Sequence, residues 1–174
     1  MKKNKGRLTG WLGYTLSWND RRFQNINENQ WFPAKYDRRH DFELTANYKI
    51  SDRWQFASNF VYNTGFAITA PVALIDPFQP IFTTRNNRRA PDYLRLDVGF
   101  TLNKKSSKGN DVQWNFSLYN AFGRRNPFFV EYKSEYFGEF NPNTFEFVNE
   151  GAKGSVRQGT AFSLLPSFSY SVSF

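Results

Sequence analysis

The sequence predicts an all-β chain, an antiparallel up-and-down sheet of about six strands that forms a segment of a transmembrane β-barrel and stands as an open sheet if isolated. Three observations carry this expectation. Aromatic residues make up 20 % of the 174 residues, with 20 Phe, 9 Tyr and 5 Trp, yet mean hydropathy is −0.66. Polar and apolar residues alternate through one segment after another. The links between those segments alternate between short and long. A helical membrane protein needs an unbroken apolar run of about 20 residues; the most apolar run here, Phe66 to Ile75, is about half that length and is interrupted by Thr69 and Pro71. A barrel wall needs only one apolar face, so polar residues fill every second position.

The elements follow in order. From Leu8 to Trp18 the even positions Leu8, Gly10, Leu12, Tyr14, Leu16 and Trp18 oppose Thr9, Gly13, Thr15 and Ser17, with Trp11 as the exception. From Asp41 to Ile50, Phe42, Leu44, Ala46, Tyr48 and Ile50 alternate with Asp41, Glu43, Thr45, Asn47 and Lys49. From Trp54 to Tyr62, Trp54, Phe56, Phe60 and Tyr62 share a face with Ser58. From Tyr93 to Leu102, Leu94, Leu96, Val98, Phe100 and Leu102 oppose Tyr93, Arg95, Asp97, Gly99 and Thr101. From Val112 to Leu118, Val112, Trp114, Phe116 and Leu118 oppose Gln113, Asn115 and Ser117. Ser167 to Phe174 alternates without an error. A period of two puts one kind of side chain on each face of a strand, whereas a helix would scatter them.

Ser51-Asp52-Arg53 and Lys104 to Asp111 (with Gly109-Asn110) are short links, whereas Asp20 to Asp37, Gly65 to Asp92 and roughly Glu131 to Ser155 are long. Counted back from a periplasmic C-terminus, both short links fall on the periplasmic side and the three long ones outside. Long strands, ring side chains near strand ends (Trp18, Tyr48, Trp54, Tyr62 and Phe174) and mid-strand charge on the opposite face favour lipid over a dry core.

The net charge is +8, with basic groups such as Arg38 and Arg39, Arg85, Arg88 and Arg89, and Lys104, Lys105 and Lys108. These are expected as charged turns flanking strands; a phosphate-binding surface is the sharper alternative. The absence of cysteine excludes disulfides, thiolate metal sites and Cys nucleophiles. Met1-Lys2-Lys3-Asn4-Lys5-Gly6 is not followed by the apolar stretch of a signal peptide, so the chain is expected to be a fragment or part of a split gene if it belongs to an exported barrel.

No catalysis, cofactor or metal is expected. His40, the single histidine, lacks partner ligands and a nucleophile, and reads as part of a charged strand start. Asp41 and Glu43 share one strand face, roughly 7 Å apart, a pairing that could serve glycoside hydrolysis. Arg95 and Asp97 face the same way two strands on, and a lumen-facing charge network or contact with a plug accounts for all four. Aromatic residues in the long links (Phe23, Trp31, Phe32, Phe78, Phe82, Tyr136, Phe137, Phe140, Phe145 and Phe147) either pack together or stack on sugar rings; both readings stand.

Five stretches carry a family resemblance: Gly6-Arg7-Leu8 through Trp18, Phe32-Pro33 through Asp41, Arg89-Ala90-Pro91-Asp92-Tyr93-Leu94-Arg95-Leu96-Asp97, Tyr119-Asn120-Ala121-Phe122-Gly123-Arg124-Arg125-Asn126-Pro127, and Leu165 through Phe174. In this order they resemble the C-terminal portion of Bacteroidetes-type TonB-dependent outer-membrane receptors, the SusC-like group, over nearly the whole chain. The resemblance implies a barrel of about twenty-two strands around an N-terminal plug, of which this chain would supply residues 1–174 as late barrel wall. It also implies an outer-membrane location, with lipid, the remaining barrel and plug, and the barrel-assembly machinery as partners; a surface lipoprotein and TonB would engage through the part not present here. Phe168, Tyr170, Val172 and Phe174 resemble the signal read by the assembly machinery. Nucleic acid is not expected as a partner of this wall. Two other functions compete with it: a soluble or peripheral basic β-protein that binds polyanions or nucleic acid, and a small self-associating outer-membrane barrel.

Overall fold

The computed structural model describes residues 1–74, 80–107, 109–144 and 146–173, with the backbone alone at 73–74, 134–137, 140 and 146–156. The described chain is all-β. Its main sheet is antiparallel and open, with seven strands. They are β1 (Lys2–Lys3), β2 (Leu8–Leu16), β3 (His40–Lys49), β4 (Trp54–Asn63), β5 (Tyr93–Lys105), β6 (Asp111–Tyr119) and, after a separate hairpin, β9 (Leu165–Ser173). The spatial order follows the chain from β1 to β6 and then β9, an up-and-down meander. β7 (Phe129–Asn141) and β8 (Glu146–Gly159) pair only with each other in the ladders.

Cross-strand register settles which side chains share a face, because opposite residues point the same way. Leu12 opposes Leu44, which opposes Phe60, which opposes Leu96. Two steps along the same face, Tyr48, Phe56, Phe100, Phe116 and Phe168 form a single row. The apolar positions of the six long strands of the main sheet therefore lie on one side of it. Rings meet across the strands, with centroids 5.0 Å apart for Phe56–Phe100, 5.2 Å for Phe116–Phe168 and 4.6 Å for Trp114–Tyr170.

The other face is held by short polar side chains. Thr45 donates to Asn59 at 2.9 Å, Thr101 donates to Asn115 at 2.8 Å, and the Ser117 and Ser167 hydroxyls meet at 2.6 Å. Trp11 lies on this polar face, opposite Thr45. Its ring reaches over Gly13, where a Cβ would stand 3.0 Å from it. A bare glycine makes room for the one indole that breaks the alternation.

Three sequence expectations are corrected. The first strand ends at Leu16, not Trp18: Ser17 N–H still donates to the Arg39 carbonyl at 3.1 Å, but Asn19 already accepts from Ala34 N–H within the first long link, and the Trp18 ring centre lies 4.5 Å from the Arg39 guanidinium. The fourth runs on to Lys105 before a turn closed by Ser106 N–H donating to the Asn110 carbonyl at 2.8 Å. The stretch from roughly Glu131 to Ser155, expected as a long loop, is mostly the β7–β8 hairpin, bulged between Phe137 and Glu139. Its alternation was hidden by small and charged residues such as Gly151, Lys153 and Gly154, which give no apolar face to detect.

The short links and the long links lie at opposite ends of the sheet. At the short end, the Ser51 hydroxyl accepts the Trp54 N–H at 3.0 Å and Lys49 pairs with Asp52 at 2.9 Å. At the long end, Gly65 lets two backbones touch: a Cβ there would sit 1.6 Å from the Ala90 carbonyl oxygen. Gly65→Ala is expected to destabilise the fold by about 1–3 kcal/mol by overpacking. Gly99→Ala, where a Cβ meets nothing closer than 3.7 Å, is expected to stay within about 0.5 kcal/mol of the parent. Denaturant unfolding in detergent micelles, followed by β-sheet circular dichroism, measures both.

Candidate functional site

Among the described residues, burial does not simply follow polarity. Large apolar side chains on the sheet stand open, Tyr14 at 56 % and Phe168 at 55 % exposure, whereas the largest fully buried side chains are Asn120 and Asp37. Those two polar residues sit at the long-link end, where the candidate site is built.

Asp37 is surrounded by donors. Its Oδ1 accepts the Asn19 N–H at 2.7 Å, and its Oδ2 takes Arg89 Nη2 in a hydrogen-bonded ion pair. Arg89 Nη1 also donates to the Asp37 carbonyl at 2.6 Å. The first long link is thus tied to the second. Asn86 Nδ2 donating to the Pro33 carbonyl at 2.7 Å, and Arg85 N–H donating to Asn27 Oδ1 at 3.0 Å, join the same two links. Asp92 pins the second link to β4: its carboxylate accepts the Gly65 N–H and the Tyr62 hydroxyl, each at 2.9 Å.

The stretch Tyr119 to Pro127 folds around two asparagines. Asn120 adopts φ +52°, a left-handed conformation that asparagine tolerates. Its N–H donates to Asp97 at 2.9 Å, and its side-chain amide donates to the Arg124 carbonyl at 2.8 Å and to the Ser163 carbonyl. Asn126 accepts from Leu94 N–H at 2.9 Å and donates to Leu94 C=O at 2.8 Å, so its amide takes the place of a strand neighbour. Sequence reasoning missed Asp37, Asp92, Asn120 and Asn126 as structural pins. A lone acid among Lys35, Arg38 and Arg39 was the one signal for Asp37.

Asp41, Glu43, Arg95 and Asp97 all lie on the polar face. Arg95 Nε pairs with Asp97 at 3.1 Å, and Arg95 Nη1 donates to the Tyr93 and Tyr119 hydroxyls at 3.0 and 3.3 Å. Glu43 stands in the same register row as Arg95 with Val61 between them. Two strand spacings, about 10 Å, therefore separate the pair. Neither Asp41 nor Glu43 pairs with a cation among the described residues, so the four do not close into one network. His40 Nδ1 meets the Tyr14 hydroxyl at 2.9 Å. Among the described residues, no group of three or more His, Cys, Asp or Glu is placed to hold a metal ion.

Phe168, Tyr170 and Val172 lie on the apolar face of β9, opposite Phe116, Trp114 and Val112. Phe174 lies outside the described residues. Of the link aromatics, Phe23 and Phe32 pack at 6.1 Å, with Phe32 buried, whereas Trp31 and Phe82 are exposed. Phe78 and Phe145, and the side chains of Tyr136, Phe137, Phe140 and Phe147, lie outside what is described. A cavity of about 800 Å³ opens between the first two long links and the start of β7.

No helix among the described residues is long and apolar enough to cross a membrane, which leaves strands untouched as a means of crossing. In comparisons with known proteins, no family model, curated protein or solved structure matches this chain.

Burial by itself would raise the Asp37 pKa, but the Arg89 hydrogen bond, the Asn19 N–H and the charges of Arg89 and Arg39 outweigh it and hold the carboxyl below the usual Asp range. A depressed folded pKa contributes stability that is present above the unfolded value and lost as pH falls through the folded one. The two links are therefore expected to stay docked at pH 5 and to loosen below about pH 4, near the ordinary carboxylate pKa. Asp37→Asn is expected to abolish that acid-dependent step, with limited pepsin digestion across the acid range as the measurement.

Proposed function

We propose that the chain is a portion of the wall of an outer-membrane β-barrel, the late strands and external links of a TonB-dependent importer of the SusC-like type. The observation that carries this reading is the continuous apolar face of six paired strands, open to its surroundings and backed by a polar face. A soluble sheet of this size would bury such a face under a second layer. Hydrocarbon is the medium in which an uncovered face of Leu, Val, Phe, Tyr and Trp is favourable, because every apolar side chain leaves water.

Three further features support it. The six long strands have 9, 10, 10, 13, 9 and 9 residues, close to the about 9–11 needed to cross a bilayer as tilted strands. Rings gather near both ends of the apolar face: Tyr14, Phe42 and Tyr62 at one, Tyr48, Trp54, Trp114 and Tyr170 at the other. The carboxylates Asp41 and Glu43, without a cation partner among the described residues, stand on the side that a hydrated lumen or plug would face. The wall's partners would be outer-membrane lipid, the rest of the barrel with its plug, and the assembly machinery; it would catalyse nothing.

Charge placement tests this. Leu96→Arg, on the apolar face, is expected to cost about 2–4 kcal/mol of stability in a bilayer, whereas Thr101→Arg, on the polar face, is expected to cost little. Equal penalties, or partition of the unmodified chain away from lipid vesicles on flotation, would remove the wall reading and favour a soluble β-protein. In the full-length receptor context, deletion of Phe174 is expected to lower the yield of membrane-inserted barrel. Unchanged insertion would remove the assembly-signal role of Phe168, Tyr170, Val172 and Phe174.

A further inference from the structure

The charge of this chain is gathered at one end of the sheet. Of its 23 Lys and Arg residues and 15 acids, nine cations and two acids lie in residues 1–7, 49–53 and 104–111, which leaves fourteen cations and thirteen acids for the rest of the chain. The net charge of +8 therefore resides almost wholly in three short stretches, the approach to β2 and the two short links. The backbone brings them together. Lys49 N–H donates to the Arg7 carbonyl at 2.8 Å, so the approach to β2 lies against the end of β3. Asn103 N–H donates to the Arg53 carbonyl at 2.8 Å, so the first short link lies against the end of β5. Lys5, Arg7, Lys49, Arg53, Lys104 and Lys105 are all exposed there.

The two acids of this end are already matched. Asp52 pairs with Lys49 at 2.9 Å and Asp111 stands 3.9 Å from Lys105. Lys5, Arg53 and Lys104 form no ion pair with a described residue. Like charges gathered on one rim repel each other, and the arrangement is favourable only against a negative partner.

The position of the rim narrows the kind of partner. Lys49 directly follows Tyr48 and Arg53 directly precedes Trp54, two of the rings that end the apolar face. Lys104 stands opposite Val112, two residues beyond Leu102 on that same face. A strand rises about 3.3 Å per residue, so the cations begin about 3–7 Å beyond the ring belt. Rings of such a belt settle at the headgroup level of a bilayer, and the stems of Lys and Arg lie along apolar surface while their charges reach outward. A soluble acidic partner would match the charge and leave the apolar face bare. A leaflet with anionic headgroups covers both at once.

We propose that the short-link rim binds the phosphate groups of anionic phospholipids, whose acyl chains lie on the adjoining apolar face, so that this sheet selects its lipid by headgroup at that end. The proposal rests on the membrane-wall reading and adds to it a preference among lipids.

The test reconstitutes the 174-residue chain in phosphatidylcholine vesicles doped with phosphatidylglycerol or phosphatidylcholine spin-labelled deep in the acyl chain. Electron paramagnetic resonance reads the fraction of label held motionally restricted against the protein. Labelled phosphatidylglycerol is expected to associate at least about threefold more strongly than labelled phosphatidylcholine, with the preference fading toward none at about 1 M salt. Arg53→Gln combined with Lys104→Gln is expected to remove at least about half of the preference, whereas Arg38→Gln with Arg85→Gln, at the opposite end, leaves it unaltered. Equal association of the two lipids, or a preference that survives the salt, overturns the headgroup recognition. Equal loss in both variants overturns its assignment to the short-link rim. If the Arg53 and Lys104 variant fails to fold, the salt titration on the unmodified chain decides. The same spectra separate the two ideas: both lipids restricted in equal measure refutes this proposal alone, and restriction of neither refutes the wall reading on which it rests.

Discussion

Parity is the constraint on which everything else in this chain depends. A strand slipped by one residue would turn its whole apolar set onto the polar face. Six strands keep the same parity through links that range from the tight Ser51–Arg53 turn to the long segment between Tyr119 and Leu165. The row from Tyr48 through Phe56, Phe100 and Phe116 to Phe168 exists because each of those links preserves it. Polar side chains reinforce the same register from the other side, since the Thr45–Asn59 and Thr101–Asn115 hydrogen bonds form only when those residues stand opposite.

With no second layer, the usual division between core and surface is exchanged. The sheet contributes little buried apolar volume, and among the described residues Asp37, Asn63, Asn120 and Asn126 are buried beside the mostly small apolar residues Phe32, Ala34, Ala67, Ala90 and Val112. An unpartnered buried amide or carboxylate is costly, so Asp37, Asn120 and Asn126 are useful only because each is matched by specific donors and acceptors. They act as geometric pins. Asn126 extends the β5 ladder with a side chain in place of a strand, and Asp37 fixes two links that are 52 positions apart in sequence. The long-link end can then hold a shaped cavity, with Phe32, Ala34, Ala67 and Ala90 as its buried apolar residues among those described.

The sheet was legible in the sequence because alternation over nine or ten residues is a strong signal whenever the two faces differ in polarity. The six long strands of the main sheet were found by it, and their up-and-down order followed from link length. The hairpin of β7 and β8 was missed because Gly151, Lys153 and Gly154 offer no contrast between faces. The pins were missed for a different reason: Asp37 and Arg89, or Asn120 and Ser163, meet only after distant links have folded back, and nothing in local pattern marks such pairs. Periodicity puts Asp41, Glu43, Arg95 and Asp97 on one face of the sheet, and the register does the same, but which of them pair depends on strand spacing. Arg95 reaches Asp97 along its own strand and does not reach Glu43 across two.

The β7–β8 hairpin closes its ladder on itself, fastened at its base where Phe128 N–H donates to the Gly159 carbonyl at 2.8 Å. Among the described residues, its backbone ladder includes no strand of the main sheet. Its length is therefore independent of strand number and stagger, the two quantities that set a barrel's circumference. In the barrel proposed above, insertions or deletions there would reshape the rim while leaving the bore unchanged, so that this segment would be free to diverge at a rate the main sheet could not share.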